Sequence, residues 1–204
     1  MAEESPVNEF QTITNSGESL FKDKGSKFIG LAYPVETEEA VKEKLEEIKK
    51  QYYDARHYCY AYILGLKDQS YRANDDGEPN HSAGDPILGQ IRSANLTNTL
   101  VVVVRYFGGT KLGIGGLINA YKTAAEEALN KTTKKLIYSK TTFRLTFQYP
   151  QTSEVERILS EFEVEYHQKD YTDHCHFLAS VKDEDIKPLS SKLELVSGVV
   201  FKVV

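Results

Sequence analysis

The segment VVVVRYFGGTKLGIGG at residues 101–116 constrains the fold more than any other part of the chain. The apolar run within residues 98–107 predicts a strand buried on both faces, because a half-exposed strand would alternate polar and apolar residues. A glycine-rich turn follows, and the periodicity of LINAYKTAAEEALN predicts a helix over residues 117–130. The segment therefore predicts a strand–turn–helix unit built on a buried strand.

The turn in this unit has the composition of an anion-binding site. Backbone N–H groups at a helix start lack partners, and glycines let a ligand approach them closely. Arg105 and Lys111 would add positive charge there. The candidate anion-binding glycines are Gly108, Gly109, Gly113 and Gly115. The segment completes neither a P-loop nor a dinucleotide-binding pattern, and a tight turn that needs glycine for its own geometry is the structural alternative.

The aromatic and β-branched residues of HYCYAYIL, at residues 57–64, predict another strand. Side chains alternate between the two faces of a strand along DARHYCYAY. One face therefore carries Arg56, Tyr58, Tyr60 and Tyr62, and the other carries His57 and Cys59. Tyrosines beside an arginine fit stacking on nucleic-acid bases and fit a sheet core equally well.

The loop NDDGEPNHSAGDP at residues 74–86 concentrates carboxylates between these strands. Asp76-Gly77 predicts a turn, and Glu78-Pro79 restricts the chain further. The loop lacks the spacing of a calcium-binding EF-hand. Two interpretations stay open, a structural loop or an acid–base or metal-ligating group. The candidate catalytic residues are Asp76, Glu78 and His57.

Charge and composition limit the classes of partner. The formal net charge of −5 argues against indiscriminate nucleic-acid binding, yet no acidic residue lies between Asp85 and Glu126. This window predicts either a local basic surface or buried core. No apolar run is long enough to span a membrane, and the N-terminal MAEESPVNEF resembles no secretory signal. Two distant cysteines give no disulfide framework, so we expect a cytoplasmic protein with reduced thiols.

A composition change at residues 132–140 predicts a boundary between domains 1–134 and 135–204. Beyond it we predict strand (140–148), helix (152–162), strands (163–169 and 173–181), helix (183–194) and strand (198–204), the split βαβ order of ferredoxin-like domains. Residues 37–53 of the first domain predict a helix capped by Thr37. If Asp170–Tyr171 turned the second domain's hairpin, His167 would face His174 near His176 as three imidazoles. We predict no metal site and no cofactor.

Three motifs together resemble the IMPACT family in its bacterial YigZ-like branch. They are ARHYCYAY, then DDGEP with SAG and P, then VVVRYFGGTKLGIGGLINAY, and they cover roughly the first 130 residues. The matching family-motif positions outside the turn include Arg56, His57, Cys59, Asp75, Asp76, Gly77, Glu78 and Pro79. His81 and Ser82 depart from the family pattern, and so does Tyr60, which replaces a tryptophan of some relatives.

The resemblance implies an α+β protein. Its first domain would be a ribosomal-protein-S5-domain-2-like α/β domain, and the second a ferredoxin-like βαββαβ domain similar to those of elongation factor G. It implies a translation-linked regulatory protein without catalytic activity, whose partner is RNA, the ribosome or a regulatory protein. The surface would be formed by Arg56, Arg105, Lys111 and the glycine turn. The alternative is a hydrolase or phosphate-handling enzyme that uses the DDGEP carboxylates.

Overall fold

The computed structural model describes residues 9–66 and 69–204. The first eight residues, for which the sequence predicts no secretory signal, lie outside the described residues. Two compact units are present. One comprises Phe10–Ile137, and the other comprises Tyr138–Val204 with Glu9. No helix within the described ranges is both long and apolar enough to cross a membrane.

The first unit alternates strands with three helices. Its elements are β1 (Glu9–Ile13), β2 (Gly17–Asp23), β3 (Ser26–Pro34), α1 (Glu38–Gln51), β4 (His57–Leu64), β5 (Ser70–Asn74), α2 (Gly84–Ser93), β6 (Thr99–Tyr106), α3 (Gly113–Asn130) and β7 (Lys134–Tyr138). Five of these strands form an antiparallel sheet in the order β2-β3-β6-β4-β5. Strands β1 and β7 form a separate two-stranded sheet.

Strand β6 lies at the centre of the five-stranded sheet, and apolar cores cover both of its faces. Val101 and Val103 pack with α2 and α3 on one face, while Val102 and Val104 pack with α1 on the other. All four valines are fully buried. The prediction of a strand buried on both faces is therefore confirmed, since helices on both sides of the sheet exclude water.

Two helices have bounds close to the predicted ones. Helix α1 matches the predicted 37–53 segment, and the Thr37 hydroxyl accepts a hydrogen bond from the Ala40 N–H, which confirms the cap. Helix α3 begins at Gly113, four residues before the predicted start. The sequence did not predict this first turn, because its glycines show no apolar periodicity and have low helix propensity.

The sequence reasoning missed β1, β2, β5 and β7. Strands β2 and β5 are the two edges of the five-stranded sheet, and three of the five residues in β5 and in β7 are exposed. An exposed edge strand has no fully apolar face, so its sequence lacks the alternation that marks a half-buried strand.

The second unit has the order β8 (Lys140–Phe147), α4 (Thr152–Leu159), β9 (Glu165–Tyr171), β10 (Cys175–Lys182), α5 (Ile186–Leu193) and β11 (Val200–Val203). Its four strands are antiparallel in the order β11-β8-β10-β9. Apolar residues of β8 and β10 pack against both helices in a core of their own. The α+β class and the predicted order of elements are confirmed for this unit.

Candidate functional site

The candidate site is a cleft at one end of the five-stranded sheet, with a volume of about 460 Å³. It lies where β4 begins and β6 ends, because the antiparallel register sets His57 beside Arg105. The DDGEP loop and the first turn of α3 supply the other walls. The residues that line it are Arg56, His57, Glu78, Pro79, Arg105, Phe107, Lys111, Leu112, Gly113, Ile114 and Leu117. The three sequence motifs thus meet at one place.

The Asp75 carboxylate organises the loop rather than the cleft. Its oxygens accept hydrogen bonds from the backbone N–H groups of His81, Ala83 and Gly84, at 2.8–2.9 Å. These bonds satisfy N–H groups at the start of α2, whose own N-cap residue is an alanine. Burial alone would raise the pKa of Asp75, but the three N–H donors outweigh it and lower that pKa. Asp75 therefore acts as a remote helix cap.

Asp76 ties the loop to the start of β4. Its Oδ2 accepts a hydrogen bond from the Tyr58 N–H at 2.7 Å. Its carbonyl oxygen lies 2.9 Å from His57 Nδ1, and because a carbonyl only accepts, Nδ1 carries the proton and donates. Asp76 and Gly77 have φ values of 42° and 85°, which confirms the predicted turn. This geometry fixes the His57 ring at the cleft.

Glu78 forms a buried network with the end of β6 and with α3. Its Oε1 lies 2.5 Å from Arg105 Nη1 and accepts a hydrogen bond from the Tyr121 hydroxyl at 2.8 Å. The exposed fractions of the Glu78 and Arg105 side chains are 4% and 7%. Glu78 thus compensates the Arg105 charge, and Arg105 is not the exposed cation that we expected on an anion-binding surface.

Cys59 lies beneath this network. Its Sγ is 3.0 Å from the Asp75 carbonyl oxygen and 3.3 Å from the Tyr121 hydroxyl. The side chain is fully buried, and burial raises the pKa of the thiol far above its usual range. Cys59 is therefore an inert packing residue that joins β4, the DDGEP loop and α3.

The exposed cations of the cleft are Arg56 and Lys111. Over residues 9–66 and 69–204, neither side chain forms an ion pair. The position of Arg56 corrects our prediction. We placed it on the tyrosine face of β4, but the strand begins at His57 and Arg56 lies beside that histidine at the cleft. Tyr60 and Tyr62 pack with the core on the α1 side.

An aromatic platform stands at the cleft mouth. The Arg105 guanidinium carbon lies 5.3 Å from the ring centre of Phe28 and 5.6 Å from that of Phe107. Phe28 is fully buried, whereas 57% of Phe107 is exposed. Cation–π attraction thus holds a solvent-facing ring over a buried, neutralised arginine.

The glycines of the turn divide into two groups. A Cβ on Gly108 would lie 1.9 Å from the backbone of Gly25 in the β2–β3 turn, and the Gly108 N–H donates to Ser26 Oγ. That glycine is required by close packing. A Cβ on any of the other three candidates, Gly109, Gly113 and Gly115, would meet no atom within 4 Å. Leu112 gives α3 no side-chain cap, so the N–H groups of its first turn have no side-chain acceptor at the cap position.

The histidines of the second unit do not converge. The hairpin turns at residues 172–174, since Cys175 pairs with Tyr171, so the expected Asp170–Tyr171 turn was wrong. His167 Nε2 lies 2.6 Å from Ser180 Oγ instead of facing His174. The rings of His174 and His176 are 6.2 Å apart. No metal-binding group of three or more side chains occurs among the residues that the structure describes. Outside the cleft, His81 is exposed and pairs with Asp85.

Sequence reasoning missed Tyr121 and the apolar lining residues Phe107, Ile114 and Leu117. Tyr121 is fully buried and reaches Glu78 from the third turn of α3. Its spacing of four from Leu117 puts both on the same face of that helix. Because we began the helix at residue 117, its first turn, which carries Ile114, was not recognised as a wall.

Fold and site together define an α+β protein with a partly apolar, cation-rimmed cleft at one sheet end. The Impact N-terminal domain family matches residues 24–129. YvyE of Bacillus subtilis (strain 168), an IMPACT family member, is 34% identical over 196 residues, covering 94% of this chain and 89% of YvyE. YigZ of Escherichia coli (strain K12), another IMPACT family member, is 32% identical over 83% of this chain and 84% of YigZ.

A solved structure described as the crystal structure of an hypothetical protein superposes with a TM-score of 0.71. It is 27% identical to this chain, and the match covers 97% of both chains. The chain belongs to the IMPACT family and is YigZ-like, which confirms the resemblance seen in its motifs.

Proposed function

We propose that this protein is a cytoplasmic, translation-linked regulator that binds RNA through the cleft of its first unit. One observation carries the proposal, namely that the exposed side chains of Arg56 and Lys111 line the same cleft as the exposed ring of Phe107. Exposed cations bind phosphates, and exposed aromatic rings stack on bases. The unsatisfied N–H groups at the start of α3 add partial positive charge to the same place.

The positive surface extends beyond the cleft. The β2–β3 turn packs on Gly108, and three exposed lysines lie on this hairpin, with Lys24 in the turn, Lys22 near the end of β2 and Lys27 near the start of β3. Their position beside the glycine turn supports binding of an extended polyanion, although the whole chain is acidic. A ribosomal partner would present such a polyanion.

We do not assign acid–base chemistry to the DDGEP carboxylates. Asp75 caps α2, Asp76 binds the Tyr58 N–H, and Glu78 is paired with Arg105. Each of the three carboxylates makes at least one structural contact, which favours the binding function over the enzymatic alternative.

For the two units we propose a ribosomal-protein-S5-domain-2-like fold and a ferredoxin-like fold, as domains 1–134 and 135–204. The βαββαβ order of β8 to β11 and its strand order support the second assignment.

The test is the salt dependence of binding to single-stranded RNA and to purified ribosomes. Removing two phosphate contacts with Arg56→Ala/Lys111→Ala should reduce the slope of log K against log salt by about 1.4. The matched control is Lys42→Ala/Lys50→Ala, which removes two exposed lysines of α1, on the opposite face of the sheet. It should leave the slope unchanged. Wild-type binding that does not depend on salt, or binding to neither target, would contradict the proposal. Ribosome binding that survives nuclease treatment would point to a protein partner instead.

A further inference from the structure

We propose that the cleft takes one unpaired RNA nucleotide, with its base against Phe107 and its flanking phosphates on Arg56 and Lys111. This inference rests on the proposed function and specifies the form of RNA that the site selects. It requires a pocket for a base, a stacking ring and exposed cations at the pocket wall, each of which the first unit supplies.

The pocket has an apolar wall suited to a base. Pro79, Leu112 and Leu117 line it, and Ile114 stands at its mouth with 60% of the residue exposed. A volume of about 460 Å³ lies in the range of small-molecule sites. Bases within an A-form duplex are stacked and paired, so only an unpaired base can enter such a pocket.

The stacking ring is held in position before a ligand arrives. Phe107 rests on the Arg105 guanidinium, which the buried Glu78 carboxylate holds from behind. A ring fixed in this way loses little conformational entropy on stacking. The arrangement explains why a buried ion pair stands beneath an exposed aromatic residue.

The charges around the cleft fit a chain of phosphates better than a single carboxylate. Arg56 comes from the start of β4 and Lys111 from the glycine turn, so they approach from different walls. The three exposed lysines of the β2–β3 hairpin continue the positive surface past Gly108. One carboxylate would leave most of these cations unused, whereas successive phosphates would engage them.

The experiment uses a fluorophore placed at the cleft. The chain contains no tryptophan, so Phe107→Trp in the full chain introduces one indole that stacks as phenylalanine does. We expect an oligouridylate to quench its fluorescence saturably, while inorganic phosphate and a duplex RNA of equal length do not. Saturable quenching by N-acetyl-leucine with no response to the oligouridylate would overturn the proposal in favour of an apolar carboxylate.

A second variant measures the contribution of the ring. Phe107→Ala should weaken binding of the oligouridylate by on the order of 10-fold and leave duplex binding unchanged. The control is Tyr71→Ala, which removes another exposed ring that also contacts an arginine, Arg92, but on the β5 edge. It should change neither affinity.

The two proposals fail in different ways. If single-stranded and duplex RNA bind equally and Phe107→Ala has no effect, the nucleotide site is wrong while RNA binding stands. If neither RNA binds wild type and ribosomes do not bind either, the proposed function itself is wrong.

Discussion

Glu78 illustrates how tertiary contacts decide the role of a single residue. As sequence, it is an acidic residue in a polar loop and a candidate general acid or base. In the structure its Oε1 contacts both Arg105 and the Tyr121 hydroxyl in a buried position. A buried ion pair costs desolvation on both sides, so its stability depends on each partner staying in place. The network fixes the loop against β6 and α3 and sets the orientation of Phe107.

Removing one member of the ion pair should therefore destabilise the protein severely. Glu78→Gln leaves the Arg105 charge buried without compensation, and we expect the free energy of unfolding to fall by about 3–5 kcal/mol. Replacing both residues, as Glu78→Gln/Arg105→Met, should recover much of that loss because no charge then stays buried. Urea denaturation at neutral pH measures both effects.

The matched control is Asp85→Asn, since Asp85 follows the same loop in the first turn of α2 but pairs with His81 in solvent. Exposed pairs contribute little, so this change should cost less than about 1 kcal/mol. Equal stability of Glu78→Gln and wild type would refute the structural role of Glu78 and reopen an acid–base function.

At the scale of elements, the glycine turn does two separate things. Gly108 lets the end of β6 approach the β2–β3 turn, whereas Gly115 lies in the open first turn of α3. Sequence composition cannot separate these roles, because both positions are simply glycines in one turn. The two roles differ in the atoms that an added Cβ would meet, which are close backbone atoms at Gly108 and none within 4 Å at Gly115.

Alanine substitution should have opposite effects at these two positions. Gly108→Ala would drive a methyl group into the Gly25 backbone, 1.9 Å away, and should lower stability by roughly 1–3 kcal/mol. Gly115→Ala adds a helix-favouring residue in open space and should raise stability by about 0.5–1 kcal/mol. Thermal and urea unfolding would show this, and destabilisation by Gly115→Ala would mean that its neighbourhood is not open.

On the scale of the whole molecule, each unit has its own core and its own cysteine. Cys59 lies in the first unit and Cys175 in the second, and both side chains are fully buried. Thiol labelling therefore reports the opening of each unit separately. This property provides a test of the proposed domain division.

Core mutations in one unit should expose only the cysteine of that unit. Leu189→Ala should cost about 2–5 kcal/mol and accelerate labelling of Cys175, while Cys59 stays protected. Ile91→Ala, in the core of the first unit, should accelerate labelling of Cys59 alone. Mass spectrometry of labelled peptides distinguishes the two sites. Simultaneous labelling of both cysteines in either variant would show that the units unfold as one domain.

Local sequence patterns were enough to predict the buried strand β6, helix α1, the order of elements in the second unit and the family. These features depend on local patterns, such as continuous apolar runs, helical periodicity and motifs whose residues are close in the chain. The edge strands β2 and β5 were not predicted because neither has a fully apolar face, so their sequences lack the alternation of a half-buried strand.

The polar residues that face the cleft could not be predicted from local patterns, because they are set by contacts between distant parts of the chain. The contacts of Glu78 with Arg105 and Tyr121 join residues 27 and 43 positions apart, and nothing in the local sequence specifies such distances. Hydrogen bonds to backbone N–H groups give Asp75 and Asp76 structural roles, and burial does so for Glu78 and Cys59, whereas Arg56, Lys111 and Phe107 stay exposed. The physical reason is that a side chain's chemistry depends on which charges, donors and apolar groups the fold brings around it, and the fold brings them from distant parts of the chain.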